Sequence, residues 1–209
     1  MKNIIMCVVF SVVSYLVGSL SFGVIYSRQK YKDDIRRHGS GNSGMTNTIR
    51  TYGKHAGAIV FLGDFLKGFL IVWLAGIVSH SAICQALAGF FVVMGHILPI
   101  FFGFKGGKGV ATSGGVILAM NGYIFLILLL IFLAVVKKTK YVSLGSLIMC
   151  IMYPVLTIIF AVARLDFSVG SISKIILSVV LGIIVCYMHR TNIVRLKNGT
   201  ENKLGQKAE

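Results

Sequence analysis

Three polar stretches of this chain carry side chains whose types and spacing suit phosphate binding. Residues 38–54 read HGSGNSGMTNTIRTYGK. Glycine lets backbone amides converge on an anion, and Ser, Thr and Asn add donors at small steric cost. Ser40 or Asn42 is placed to cap a helix on which Thr46 and Arg50, four residues apart, share a face, and the amino-terminal end of such a helix favours negative charge. A flexible glycine-rich connection accounts for the same composition, so this stretch alone leaves both readings open. Residues 95–112 read GHILPIFFGFKGGKGVAT, where Lys105 and Lys108 flank two glycines and can surround an oxyanion with ammonium groups and bare amides. The spacing is not that of a P-loop. Lysines that merely snorkel to lipid headgroups are the competing reading. Residues 189–205 read HRTNIVRLKNGTENKLG. His189, Asn192 and Arg195 recur every three residues, so a continuing helix would line them up along one stripe facing one ligand. A basic juxtamembrane tail is the alternative, although it has no use for Asn192, Gly199 or Glu201.

The elements that must hold these stretches are apolar. The 209 residues are 56% hydrophobic and 13% charged, a membrane composition. Runs near 4–27, 56–78, 82–103, 142–163 and 170–188 each approach the roughly 20 residues a spanning helix needs. Such runs recur along nearly the whole chain, so the first is not read as a cleaved signal and residues 1–209 are expected to form a single integral-membrane domain. Lys and Arg number 21 against 6 Asp and Glu, for a formal charge of +15. In this context the surplus reads as the cytosolic bias of membrane loops reinforced by anionic lipid, not as a nucleic-acid surface.

Charge also decides the stretch 109–136. Arg28, Lys30, Lys32, Arg36, Arg37, Arg50 and Lys54 place the first connection in the cytosol and the amino terminus in the periplasm. A single crossing by 109–136 would send Lys137, Lys138, Lys140 and the basic tail outside. A turn at Asn121 and Gly122 keeps every basic cluster inside. The expectation is therefore an all-α polytopic bundle of seven transmembrane helices with a periplasmic amino terminus and a cytosolic carboxy terminus. The fourth helix, about 13 residues or about 20 Å, must be short or sheltered by its neighbours.

Within the spans, Asp64 and Lys67 lie three apart and read as a structural ion pair, and His96 as a hydrogen-bonded packing residue. Ser143 and Ser146 open a span on the same side as the three polar stretches. Cys7, Cys84, Cys150 and Cys186 sit in apolar runs without metal-ligand spacing, so no metal site is expected. The absence of an internal repeat disfavours a transporter. A transporter or channel for an organic phosphate and a lipid-binding scaffold stay open on the residues alone.

Four separated motifs, GSLSFG at 18–23, SGNSGMTN at 40–47, FKGGKGVAT at 104–112 and RLKNGTENK at 195–203, resemble the bacterial acyl-phosphate:glycerol-3-phosphate acyltransferases of the plasma membrane. GDFLKG at 63–68 and YVSLGS at 141–146 extend the resemblance over nearly the entire chain. The resemblance implies a seven-helix fold with a site at the cytosolic face of the bacterial inner membrane. It implies acyl transfer from acyl phosphate to the sn-1 hydroxyl of glycerol 3-phosphate, without a cofactor, as the first acylation of phospholipid synthesis. Ser40, Gly41, Asn42, Gly44, Thr46 and Asn47 are then expected at the acyl-phosphate phosphoryl group. Arg50, Lys108 and Lys105 are expected at glycerol 3-phosphate; Ser143, His189 and Asn192 near the reacting groups; and Arg195 and Glu201 in support. The partners it implies are the two substrates, membrane lipids and the enzyme that supplies acyl phosphate. This chain departs in having Met45 where Ala is usual and Ser21 where Pro is frequent, changes that remove no polar group. The His-to-Asp spacing of five residues that serves other glycerol phosphate acyltransferases as a general-base pair occurs at none of the five histidines.

Overall fold

The structure is a computed structural model that describes residues 2–206, and among these every regular element is helical. Helix α1 (Lys2–Gly18) and helix α2 (Phe22–Tyr31) are separated by a break at Ser19–Ser21. The apolar run near 4–27 is therefore interrupted within the spanning stretch Asn3–Tyr31. The break arises because α1 ends on carbonyls that a buried ammonium takes up: Lys67 Nζ donates to Gly18 O at 2.9 Å and to Leu20 O at 2.7 Å. A glycine-rich connection with a short 3₁₀ turn at Ile35–Arg37 leads to α3 (Met45–Tyr52), and Gly53 hinges α3 onto α4 (Lys54–Ser79).

Helix α5 (Ala82–Ile97) stops before Pro99 and is followed by a 3₁₀ turn at Ile100–Phe102. Helix α6 (Val110–Met120) has 11 residues, a rise of about 16 Å. Its middle, Thr112–Ile117, is buried against α4 at backbone contact: a Cβ at Gly115 would lie 2.1 Å from Phe65 O, and one at Gly68 would lie 2.3 Å from Thr112 O. Close packing at these two glycines thus shelters the short helix. The chain turns at Asn121, as charge predicted, and its side chain caps α7 (Gly122–Thr139) by accepting from Tyr123 N at 3.0 Å and Ile124 N at 3.1 Å. Helices α8 (Val142–Ala163), α9 (Val169–Met188) and α10 (Arg190–Lys197) complete the order.

Among the described residues six helical stretches are long and apolar enough to cross a membrane: Asn3–Tyr31, Lys54–Ser79, Ala82–Phe102, Gly122–Thr139, Val142–Ala163 and Val169–Met188. Val110–Met120 is a shorter apolar helix beside them. Helix α5 lies at the centre, against α1, α4, α6 and α9. Val72, Val92, Val93, Val116 and Leu181 form the core there, while Ile4, Val8, Leu70, Leu130, Ile151 and Ile183 face outward, as a lipid-facing surface requires. Long-range bonds draw the polar connections to one end of the bundle. Arg36 Nη1 donates to Phe102 O at 2.7 Å and to Lys105 O at 3.1 Å, Arg50 Nη2 donates to Asn202 O at 3.1 Å, and Leu204 N donates to Lys140 O at 2.7 Å.

Candidate active site

The first motif folds around Asn47. Its buried side-chain amide donates to Asn42 O at 2.9 Å, His38 O at 3.0 Å and Ile35 O at 3.2 Å, while Oδ1 accepts from Ser40 N at 3.0 Å. Asn47 therefore shapes the cradle from inside. Left-handed backbone at Gly39 and Gly41, with φ of 51° and 70°, lets the loop close over that amide. Neither Ser40 nor Asn42 is the residue that starts α3. Gly44 occupies the cap position, two residues after Asn42, whose Oδ1 accepts from Gly44 N at 2.9 Å. The first-turn amides of Met45, Thr46 and Asn47 have no carbonyl to bond within the helix, which leaves donors at the mouth of the loop. Thr46 and Arg50 lie one turn apart on α3, both half-buried.

The third motif closes around Glu201. Its Oε1 accepts from Asn192 Nδ2 at 2.7 Å and from Ser143 Oγ at 2.9 Å, and its Oε2 accepts from Arg195 Nε at 2.7 Å. Burial opposes ionisation of Glu201, but these bonds outweigh it and hold the carboxyl below its usual range. One carboxylate thus ties α8, α10 and the tail together. The expectation that His189, Asn192 and Arg195 line one continuous helix needs correction: His189 sits at the junction of α9 and α10, where the ladder is reset. Asn192 and Arg195 do share a face, directed at Glu201.

Lys108 enters this cluster from the second motif, and its ammonium donates to Asn192 Oδ1. Burial, followed by the neighbouring Arg195 and Arg50, lowers its pKa to about 8, with Glu201 as the opposing influence. Burial likewise lowers Arg50, whose Nε is buried without a partner. His189 Nδ1 lies 2.7 Å from Val185 O, a carbonyl that can only accept, so Nδ1 carries the proton and Nε2 keeps a free lone pair. Burial, with Lys108 adding to it, pushes the His189 pKa down to about 4, so the ring is neutral near pH 7. Lys105 is not drawn in. Its side chain is exposed, and only its backbone carbonyl is held, by Arg36.

Several polar residues in or beside these motifs carry no distinguishing signal in the sequence. Ser43, Thr112 and Ser113 have buried hydroxyls without a hydrogen-bond partner, an arrangement with a cost in a folded protein unless something else bonds them. All three lie in or directly beside the quoted motifs, but nothing in their spacing separates them from their neighbours. Arg36, which joins the first two connections, reads in sequence as one more cytosolic charge. Its geometry is held by Asp34, which accepts from Arg36 Nε at 3.0 Å and Nη2 at 2.8 Å and from Arg28 Nη2 at 2.9 Å.

Half-buried cationic side chains, free helix-end amides and one engaged carboxylate, at the end of an apolar bundle, make a membrane-protein site suited to an anionic ligand. Comparison with known proteins makes the class specific. The family model for glycerol-3-phosphate acyltransferase matches residues 8–199. A glycerol-3-phosphate acyltransferase of Finegoldia magna is 43% identical over 204 residues, covering 98% of this chain and 99% of that protein. A crystal structure of PlsY (YgiH), an integral membrane glycerol 3-phosphate acyltransferase in its glycerol 3-phosphate form, superposes with a TM-score of 0.85 at 36% identity over 95% of this chain and 96% of that one. The lysophosphatidic acid form superposes with a TM-score of 0.82 at 34% identity over 95% of each chain. The chain belongs to the glycerol-3-phosphate acyltransferase family. It is an acyltransferase and an integral membrane protein, which sets aside the transporter and scaffold readings.

Proposed function

We propose that the protein transfers an acyl chain from acyl phosphate to the sn-1 hydroxyl of glycerol 3-phosphate, releasing lysophosphatidic acid and inorganic phosphate as the first acylation of phospholipid synthesis. The single observation that carries this reading is the concentration of Lys108, Arg50 and Arg195 around one carboxylate that is already fully engaged. Two phosphates brought into contact repel, and such a cationic surplus offsets the repulsion. That one solved neighbour is a glycerol 3-phosphate form and the other a lysophosphatidic acid form supports the same acceptor and product here.

Acyl phosphate is a mixed anhydride, so its carbonyl needs alignment and not activation by a nucleotide. The loop of Ser40, Gly41, Asn42 and Gly44, with Thr46 and the first-turn amides of α3, holds the donor phosphoryl group, and Asn47 keeps the loop in shape. Arg50 and Lys108 hold glycerol 3-phosphate, with Lys105 as a rim cation that steers the anion inward. The sn-1 oxygen attacks the carbonyl carbon, the bond from that carbon to the phosphate oxygen breaks, and the hydroxyl proton passes to a substrate phosphate. His189 Nε2 and Asn192 orient the attacking oxygen, a role suited to a ring whose low basicity makes it a hydrogen-bond acceptor more than a proton store. Ser143, Arg195 and Glu201 fix Asn192. In this reading residues 1–209 form one domain, α6 is the fourth of seven crossings, the amino terminus lies outside by the distribution of basic residues, and the site is on the cytosolic face of the bacterial plasma membrane, where the upstream enzyme delivers acyl phosphate.

The test is donor choice by the detergent-purified protein. Lysophosphatidic acid is expected from glycerol 3-phosphate with acyl phosphate and not with acyl-coenzyme A or acyl carrier protein. Product from a thioester but none from acyl phosphate overturns the reading. His189→Ala with unchanged kcat removes the orienting role alone.

A further inference from the structure

No step of the reaction uses Asp64, Lys67 or His96, yet these three ionisable side chains lie together deep in the bundle, each 4% exposed or less. Lys67 Nζ is 2.8 Å from Asp64 Oδ1 and 3.1 Å from His96 Nδ1, and His96 Nδ1 is 3.3 Å from the same carboxylate oxygen. A buried ion group of this kind contributes little net stability, because desolvation offsets the Coulomb attraction, and apolar residues of equal volume serve a core as well. Its geometry points to a different use. Lys67 also donates to Gly18 O and Leu20 O, so the group holds the break between α1 and α2. On its other side His96 holds the second motif. Its carbonyl accepts from Gly107 N at 3.1 Å, the adjacent Ile97 carbonyl accepts from Gly106 N at 3.1 Å, and its ring lies so close to the loop that a Cβ at Gly107 would stand 2.1 Å from Nε2. The next residue is Lys108. A further bond, Ile100 N to Ser19 Oγ at 3.3 Å, ties the same connection to the same break.

We propose that Asp64, Lys67 and His96 are a positioning network that docks the 105–108 loop onto the break between α1 and α2 and so fixes the ammonium of Lys108 for glycerol 3-phosphate. The inference rests on Lys108 as an acceptor-binding residue. None of the three touches substrate. They act through the loop, and the asymmetry of the contacts makes the acceptor, not the donor, the substrate whose binding depends on them.

Three variants probe the network with the full-length purified protein: the charge-neutral double change Asp64→Asn with Lys67→Met, which leaves no uncompensated ion; His96→Phe, which keeps a ring without a partner for Asp64; and Gly107→Ala, whose new methyl collides with that ring. Each is measured alone and combined with Lys108→Ala, with KM for both substrates, kcat and a melting temperature. The expected result is a rise of at least tenfold in KM for glycerol 3-phosphate, a KM for acyl phosphate within twofold of the parent, and less than a twofold further effect once Lys108 is already Ala. Equal changes in both KM values, a lower melting temperature with normal kinetics, or effects that persist in full on the Lys108→Ala background overturn the proposal. If the double change does not yield folded protein, Gly107→Ala, outside the helices, decides alone. A Lys108→Ala protein with normal KM for glycerol 3-phosphate overturns the assignment of Lys108 and this network's role with it. A strong Lys108 effect with silent network variants overturns only the latter.

Discussion

Lys67 and Lys108 are both ammonium groups withdrawn from bulk water, and the protein surrounds them in opposite ways. Lys67 has a carboxylate at 2.8 Å as its counter-charge and three acceptors for its protons, two backbone carbonyls within 2.9 Å and His96 Nδ1 at 3.1 Å. Lys108 is bonded to the neutral oxygen of Asn192, lies near Arg50 and Arg195, and shares the influence of one carboxylate that is committed to three other donors. Internal balance marks a group whose role is architectural. In the proposed reading, a local surplus of one sign marks a group whose balance comes from substrate, since an uncompensated charge away from water is otherwise costly. On that reading the same residue type takes two functions, set by how many acceptors the fold supplies.

The sharpest way to break this contrast is to remove the unbalanced cation. Lys108→Ala is expected to lower kcat/KM for glycerol 3-phosphate by roughly 100- to 1000-fold, the range for loss of a preorganised charge stabiliser, with little change in melting temperature. Steady-state kinetics beside a thermal melt read both. Arg50→Lys keeps the charge but loses the planar fork that also reaches Asn202 O, and a drop of roughly 10- to 100-fold is expected from a lost charge-assisted bond. Full activity for that variant would mean that charge alone suffices.

The pH dependence comes next in size. Lys108 loses its proton as pH rises through about 8, so kcat/KM for glycerol 3-phosphate should fall by about tenfold per unit above that value. His189 stays neutral down to about pH 4 and contributes no acid limb above it. Lys108→Arg should move the alkaline limb beyond the accessible range, and a limb that stays near pH 8 assigns it elsewhere. The smallest effect is expected from Lys105→Ala. An exposed rim cation acts through a screened field, so kcat/KM should change by less than about threefold and only at low ionic strength. A larger loss would erase the distinction between the two lysines of the second motif.

Much of this was legible in the residues. The turn at Asn121 followed from the sign of the loops around it, because the cost of placing Lys137, Lys138 and Lys140 on the wrong side is a property of composition. Pairing of Asp64 with Lys67 followed from their spacing on a helix. The interior role of Asn47 did not, since its partners at Ile35, His38, Ser40 and Asn42 become neighbours only after the loop closes. The break at Ser19 was also hidden: the local sequence is apolar enough to run on as a helix, and it is Lys67, 49 positions from Gly18, that takes up the freed carbonyl.

By itself the sequence determined that this chain lies in a membrane, where its basic connections fall and which motifs gather glycines with polar and cationic side chains, because all three depend on local composition and period. Only the tertiary structure decided which lysine is balanced and which is not, which proton His189 holds, and why Lys105 and Lys108 differ. Those properties depend on acceptors and cations brought from distant helices to within a few ångströms, where Coulomb and desolvation energies change steeply with distance.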